Sequence, residues 1–326
     1  MLKRVDIFMI MTATGIFLFL ALYNYAYSDS GKHLFLNPDS ETVYAQFGDI
    51  ILAVNGTTGD IIKNVTIESH AGIVINPFAQ ILYISDLDNI VETDLTNLRV
   101  IKNVSIPNYG SVMAFDEKNN LLYMIDDEHE TNLAILNESD EFTRGYKIKG
   151  ITTNLVINPE TNRVYVLDDE YDKIYVFDSE QKRVISNVSI IPNMFAMAVN
   201  PIRNHVYVAT GDASKIGIID GNTNQVLKYL DSGTPKDPYE WSESSLDIDP
   251  ATNRLFLSSH DKKLISIFDI SNNTLIDKID SEVAPSRIAF DTQHKVLYVL
   301  DTESESLARV SNNNQHTILV GQKNLP

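Results

Sequence analysis

The residues of this chain best suited to chemistry are carboxylates gathered in short turns. They recur at 86–88, 126–130 (DDEHE), 168–172 (DDEYD), 212, 261 and 301–305. Carboxylates crowded in this way can attract cations or a basic partner, although Asp is also a good turn residue and the same clusters fit solvated hairpins. None has the spaced oxygen ligands of an EF-hand loop, so no specific calcium site is expected. The seven His residues, His33, His70, His129, His205, His260, His294 and His316, fall at non-equivalent places, which argues against a His ring for copper or zinc. Cys is absent, and with it any disulfide or thiolate metal site. No G-x-S-x-G, phosphate-cradling Gly loop or metalloprotease motif occurs. The residues therefore predict no catalytic set, no metal and no cofactor.

Aromatic side chains form the second group. The stretch 231–245, DSGTPKDPYEWSESS, holds the only Trp, Trp241, with Tyr239 beside it. Long loops carry function disproportionately, and an exposed Trp or Tyr there suits a recognition surface. A cap folded back over the neighbouring repeats fits Trp241 as well. With His70, Tyr109 and Phe195 from comparable loops, these aromatics and the turn residues Asp86, Asp126, Asp168, Asp212 and Asp301 make up the predicted partner-binding face.

The elements that position these residues are read from an internal repeat. An Asn or Asp precedes an aromatic residue by seven positions at Asn37/Tyr44, Asn76/Tyr83, Asp116/Tyr123, Asn158/Tyr165, Asn200/Tyr207, Asp249/Phe256 and Asp291/Tyr298. Spacings between the aromatics are 39, 40, 42, 42, 49 and 42 residues, and the 49 is the Trp241 insertion. Each copy resolves into four short strands, in the fourth copy 154–157, 163–167, 173–177 and 184–190. The second reads VYV, ILYI or VLYV, apolar on both faces as in a strand buried from both sides. The third ends at Asn55, Asp94, Asn137, Asp178, Asp220, Asp269 or Ser311, all suited to a turn. Seven copies of a four-stranded unit predict an all-β, seven-bladed β-propeller. In that fold the 2–3 turns and the loops between blades share one face, where the acidic clusters and Trp241 fall. The first copy starts with its own inner strand (32–36) and the seventh ends with its own outer strand (317–320), so the ring should close by face packing without strand exchange.

NPETNRVYVLDD, NPIRNHVYVATGD and DPATNRLFLSSHD resemble the repeats of YVTN-type, surface-layer-like β-propellers over roughly residues 32–322. The resemblance implies a propeller at a bacterial or archaeal cell surface and brings no catalytic residues. The Gly-His and Trp-Asp dipeptides of WD repeats are missing.

The first 28 residues differ in kind. Lys3 and Arg4 precede an almost wholly apolar run, residues 7–22, of about membrane-spanning length. Ala26 and Ser28 suit signal cleavage, whereas Tyr23, Tyr25 and Tyr27 suit an interfacial belt, so both a signal peptide and a retained anchor helix stay open. Either places the propeller, residues 29–326, outside the cytoplasm. A net charge of −18 disfavours a nucleic-acid partner. Sequons at Asn64, Asn103 and Asn187 fall on outermost strands, where a glycan would also block edge-to-edge association. The expected function is a non-catalytic, secreted or surface-bound propeller taking a protein, glycan or envelope component on its acidic face. The alternative is a propeller lyase or hydrolase with its site at the central channel.

Overall fold

The computed structural model of the chain describes residues 5–11, 17–23 and 33–321, apart from 38–39, 68–71, 87, 107–108, 127–131, 149, 151, 169, 235–243 and 312–314. Seven four-stranded antiparallel sheets follow one another, and in each the spatial order of the strands is their order in the chain. Blade 4 consists of Thr152–Asn158, Arg163–Asp168, Lys173–Asp178 and Arg183–Ser189, within two residues of the expected bounds. Innermost strands ring a central channel, and that of blade 7, Arg287–Asp291, returns beside that of blade 1, Leu34–Leu36. The ring is thus a seven-bladed propeller whose first and last blades keep their own four strands.

The doubly apolar second strands are explained by what lies on either side. Seven hydrophobic clusters fill the seven gaps between blades, and each draws on the facing sheets of two neighbours. The repeat aromatics Tyr44, Tyr83, Tyr123, Tyr165, Tyr207, Phe256 and Tyr298 are all buried there. Burying such a side chain is worth about 1.5–3 kcal/mol, so the aromatic column is a main source of cohesion between blades.

Three of their hydroxyls add direction, whereas those of Tyr165 and Tyr207 are buried with no hydrogen-bond partner among the described residues. Tyr44 Oη donates to the Leu95 carbonyl at 2.7 Å and Tyr123 Oη to Ser179 Oγ at 2.8 Å, each just past the third strand of the following blade. Tyr298 of blade 7 makes the corresponding bond to the Gly56 carbonyl of blade 1, at 3.3 Å. Ring closure repeats the contact used between other blades.

The Asn-Pro signature has an equally local cause. Asn158 Oδ1 accepts the backbone N–H of Glu160 at 3.1 Å, and Asn200 Oδ1 that of Arg203 at 3.1 Å, which shapes the turn after the innermost strand. The last turn residue takes a positive φ, 54° at Asn162 and 52° at Asn204, a conformation Asn tolerates better than most residues. Such an Asn also ties blades together: Asn158 Nδ2 donates to Asn204 Oδ1 at 2.8 Å and Asn76 Nδ2 to Asn120 Oδ1 at 3.2 Å. The 3–4 turns are capped likewise, with Asp178 accepting from Glu180 and Gln181.

Residues 5–11 and 17–23 form the part of the N-terminal segment that is described. They pair as a two-stranded antiparallel hairpin, from Val5 opposite Tyr23 to Met11 opposite Phe17. The run is rich in Ile and Phe, which favour extended backbone, and Thr12, Thr14 and Gly15 interrupt it at its centre. Among the described residues no helix is long and apolar enough to cross a membrane. The stretch proposed for cleavage, around Ala26 and Ser28, lies outside the described residues.

Candidate functional site

The register shows which face carries the channel mouth. Thr152 pairs with Asp168, Met194 with Thr210 and Arg287 with Leu300, so each innermost strand starts level with the 2–3 turn of its own blade. The channel therefore opens among the acidic turns, as the repeat predicts.

Not every carboxylate there is a surface charge. Asp168 is fully buried, and its Oδ1 accepts the backbone N–H groups of Glu170 and Tyr171 at 3.0 and 3.3 Å. Asp301 is buried too and accepts from Glu303 and Ser304 at 3.0 Å each and from Ala284 at 2.9 Å. Burial alone would raise the Asp301 pKa, but these bonds outweigh it and leave the carboxyl below its ordinary range. Both residues act as turn caps, buried from solvent within the turns of the expected partner-binding face. Asp212 is half-buried and accepts from Thr210 Oγ1 at 2.6 Å and from the Ser214 backbone at 3.0 Å. Among the described residues of the 2–3 turns, the exposed charges are the carboxylates Asp49, Asp88, Glu170, Asp261 and Glu303 and, in the blade 6 turn, the cations Lys262 and Lys263, together with the Tyr171 ring, 52% exposed.

Trp241, Tyr239 and His70 lie outside the described residues. Asp86, Tyr109 and Asp126 are placed as strand positions only. Phe195 is brought to the channel, where it lines a cavity of about 210 Å³ with Met197, His33, Asn154, Ser245 and Arg287, among others. The polar members sit at one repeat position, four residues before the Asn or Asp that ends the innermost strand. Read down all seven copies, that position holds His33, Gly72, Val112, Asn154, Ala196, Ser245 and Arg287, a column without a repeat pattern inside strands that otherwise repeat. That irregularity is the sequence signal by which the set could have been found.

Burial shapes the electrostatics of this end of the channel. It lowers the His33 pKa to about 4, leaving the imidazole neutral near pH 7, and that of Arg287 to about 10, leaving the guanidinium charged. Asp247 is pushed up to about 6 by burial, against the bonds its oxygens accept from the Phe290 and Ile248 backbones at 2.5 and 2.7 Å.

One His–carboxylate grouping was not visible in the repeat. His260 is buried on the same face, with Nδ1 3.1 Å from Asp261 Oδ1 and Nε2 4.0 Å from Glu303 Oε1 of the next blade. Among the described residues no group of three or more His, Asp or Glu could hold a metal ion.

No protein-family model and no curated protein matches the chain. Among solved structures it is similar to hydrazine synthase from Kuenenia stuttgartiensis, at 13% identity and a TM-score of 0.74, over 90% of this chain and 99% of that one. It is also similar to a functionally unknown protein from Desulfotomaculum acetoxidans DSM 771, at 13% identity and a TM-score of 0.70, over 87% and 96% of the two chains. The β-propeller domain of Myceliophteria thermophila Cps50 (Swd1) matches at 10% identity and a TM-score of 0.68, over 86% and 96%. Likeness at this level of identity shows the fold alone.

Proposed function

We propose that this chain is a non-catalytic, extracytoplasmic binding propeller whose partner, a protein, glycan or envelope component, docks on the face of the 2–3 turns. The observation that carries the proposal is the ring of exposed carboxylates there, Asp49, Asp88, Glu170, Asp261 and Glu303 from blades 1, 2, 4, 6 and 7. Such a ring steers a basic surface toward the channel mouth and repels nucleic acid. The basic-then-apolar start supports export, and the YVTN-like repeats support a place at the cell surface. Asn64, Asn103 and Asn187 are all exposed on outermost strands, as acceptor sites for glycans must be.

Replacing Asp49, Glu170 and Glu303 together with Lys should release whatever co-purifies with the chain from native membranes, without lowering the melting temperature. Glu41→Lys with Glu160→Lys, on the opposite face, should leave it bound. Equal effects from the two faces would remove the docking proposal.

A second reading, a propeller hydrolase or lyase, is favoured by His260 between Asp261 and Glu303, an arrangement able to hold and move a proton. Turnover of envelope peptides or glycans that disappears in His260→Ala would establish that reading in place of the first.

A further inference from the structure

The cavity at the channel mouth has a chemistry opposite to that of the face around it. Arg287 brings a guanidinium, and its Nη1 donates to the Ser286 carbonyl at 2.7 Å, which fixes the group at the start of the innermost strand. On the adjoining innermost strand, the His33 ring lies nearly parallel to Phe35, with centroids 5.6 Å apart and planes 8° apart. Its Nε2 is buried and has no hydrogen-bond partner. A buried polar atom left unsatisfied costs about 1–3 kcal/mol, which a bound oxygen would recover. Asn154 and Ser245 add neutral polar groups, and Phe195 and Met197 supply apolar wall. Asp247, on the same strand as Ser245, is not among the residues that line the cavity.

We propose that the channel mouth binds a small organic carboxylate, its head held by the Arg287 guanidinium and His33 Nε2 and its apolar body against Phe195 and Met197. A guanidinium matches a carboxylate in shape as well as charge. The half-apolar wall selects an organic anion over inorganic phosphate or chloride. The site goes beyond the docking reading above and does not depend on it, since the exposed carboxylates and the channel set are different residues.

The test is calorimetric titration of the full chain, in mild detergent, with benzoate and hexanoate as probes and with benzyl alcohol and inorganic phosphate as controls. At least one of the two carboxylates should saturate a single site per chain, at least about tenfold more tightly than benzyl alcohol. Arg287→Gln should weaken binding by about tenfold or more, and His33→Phe by several-fold. Should Arg287→Gln fail to fold, Asn154→Phe fills the cavity without touching the cation and should abolish binding. The triple Asp49, Glu170 and Glu303 to Lys variant should bind the carboxylate as before, so failure of the docking reading leaves this one standing. The proposal is overturned if neither carboxylate saturates, or if phosphate competes as an equal. It is overturned equally if the folded channel variants bind as tightly as the parent, or if the cavity proves to hold water only.

Discussion

Gly150 has a φ of +96°, and a Cβ added there would run into the Asp168 carboxylate. The two residues form a clasp at the start of blade 4, in which the acid also holds the Glu170 and Tyr171 amides. Gly150→Ala should therefore cost more than about 2 kcal/mol, through both the overlap and the strained φ. Asp168→Ala should cost about 1–3 kcal/mol by leaving backbone donors without their acceptor. Glu170→Ala, in the same turn, should be nearly neutral, since its side chain is exposed and Ala keeps its amide. Urea midpoints decide this, and an Asp168→Ala variant as mild as Glu170→Ala would mean the cap is not structural. The sequence shows both residues as members of one acidic turn. What separates them is which backbone amides each can reach, and that depends on the pairing of Asp168 with Thr152, which composition does not carry. A pH effect belongs to this scale too. His33 has a folded pKa of about 4 against an ordinary 6.5, so below pH 6.5 the unfolded chain takes up a proton that the folded chain refuses. Its contribution is lost as pH falls from 6.5 toward 4. Asp247 works in the opposite sense, since it keeps a proton up to about pH 6 that the unfolded chain gives up, and so it destabilises as pH rises through that range. Relative to the parent, His33→Phe should therefore gain stability between pH 7 and 4.5, by at most about 3 kcal/mol. A difference that stays flat across unfolding curves at pH 7, 5.5 and 4.5 would count against a buried neutral His33.

Among elements, the seam between blades 7 and 1 is the test of how the ring holds. Gly56 has no room for a side chain, because a Cβ would overlap the Tyr298 hydroxyl and crowd Val43. Gly56→Val should lower stability by more than about 2 kcal/mol, whereas Tyr298→Phe removes one hydrogen bond and should cost about 1 kcal/mol. If both are silent in denaturant melts, closure does not rest on this contact. The strands themselves were legible, since the Asn-to-aromatic register and the doubly apolar runs are direct consequences of sheets packed on both faces. The channel set was missed. Its residues gain meaning only when strands that share no local sequence context are brought to one axis, as Arg287, His33 and Asn154 are.

For the whole molecule, chain direction carries information that no single blade does. The polypeptide enters blade 1 just before Leu34, at the end level with the 2–3 turns, because Leu34 pairs with Ala45 near the close of the second strand. If residues 7–22 remain in a membrane, the acidic face lies within about 40 Å of it, the most that the eleven residues from Leu22 to His33 can span. With no native Cys, single labels report cleanly. In proteoliposomes of the full chain, a fluorophore at Glu303→Cys should be quenched by lipid-borne quencher more than one at Glu160→Cys on the opposite face. Equal quenching would contradict this orientation, and a chain that leaves the membrane altogether would identify the cleaved form.

Each sheet is completed by four strands that are neighbours in the chain, including the first and the last. In genetic terms every blade is one uninterrupted block of codons, and the 42-residue period occurs three times. A recombination that copied or dropped such a block would insert or remove an entire wedge and orphan no strand. The same modularity means that new ends could be cut between any two blades and the old ones joined. A ring that exchanged a strand at its seam would tolerate neither operation there, so this architecture leaves blade number and starting point open to change by simple rearrangement of the gene.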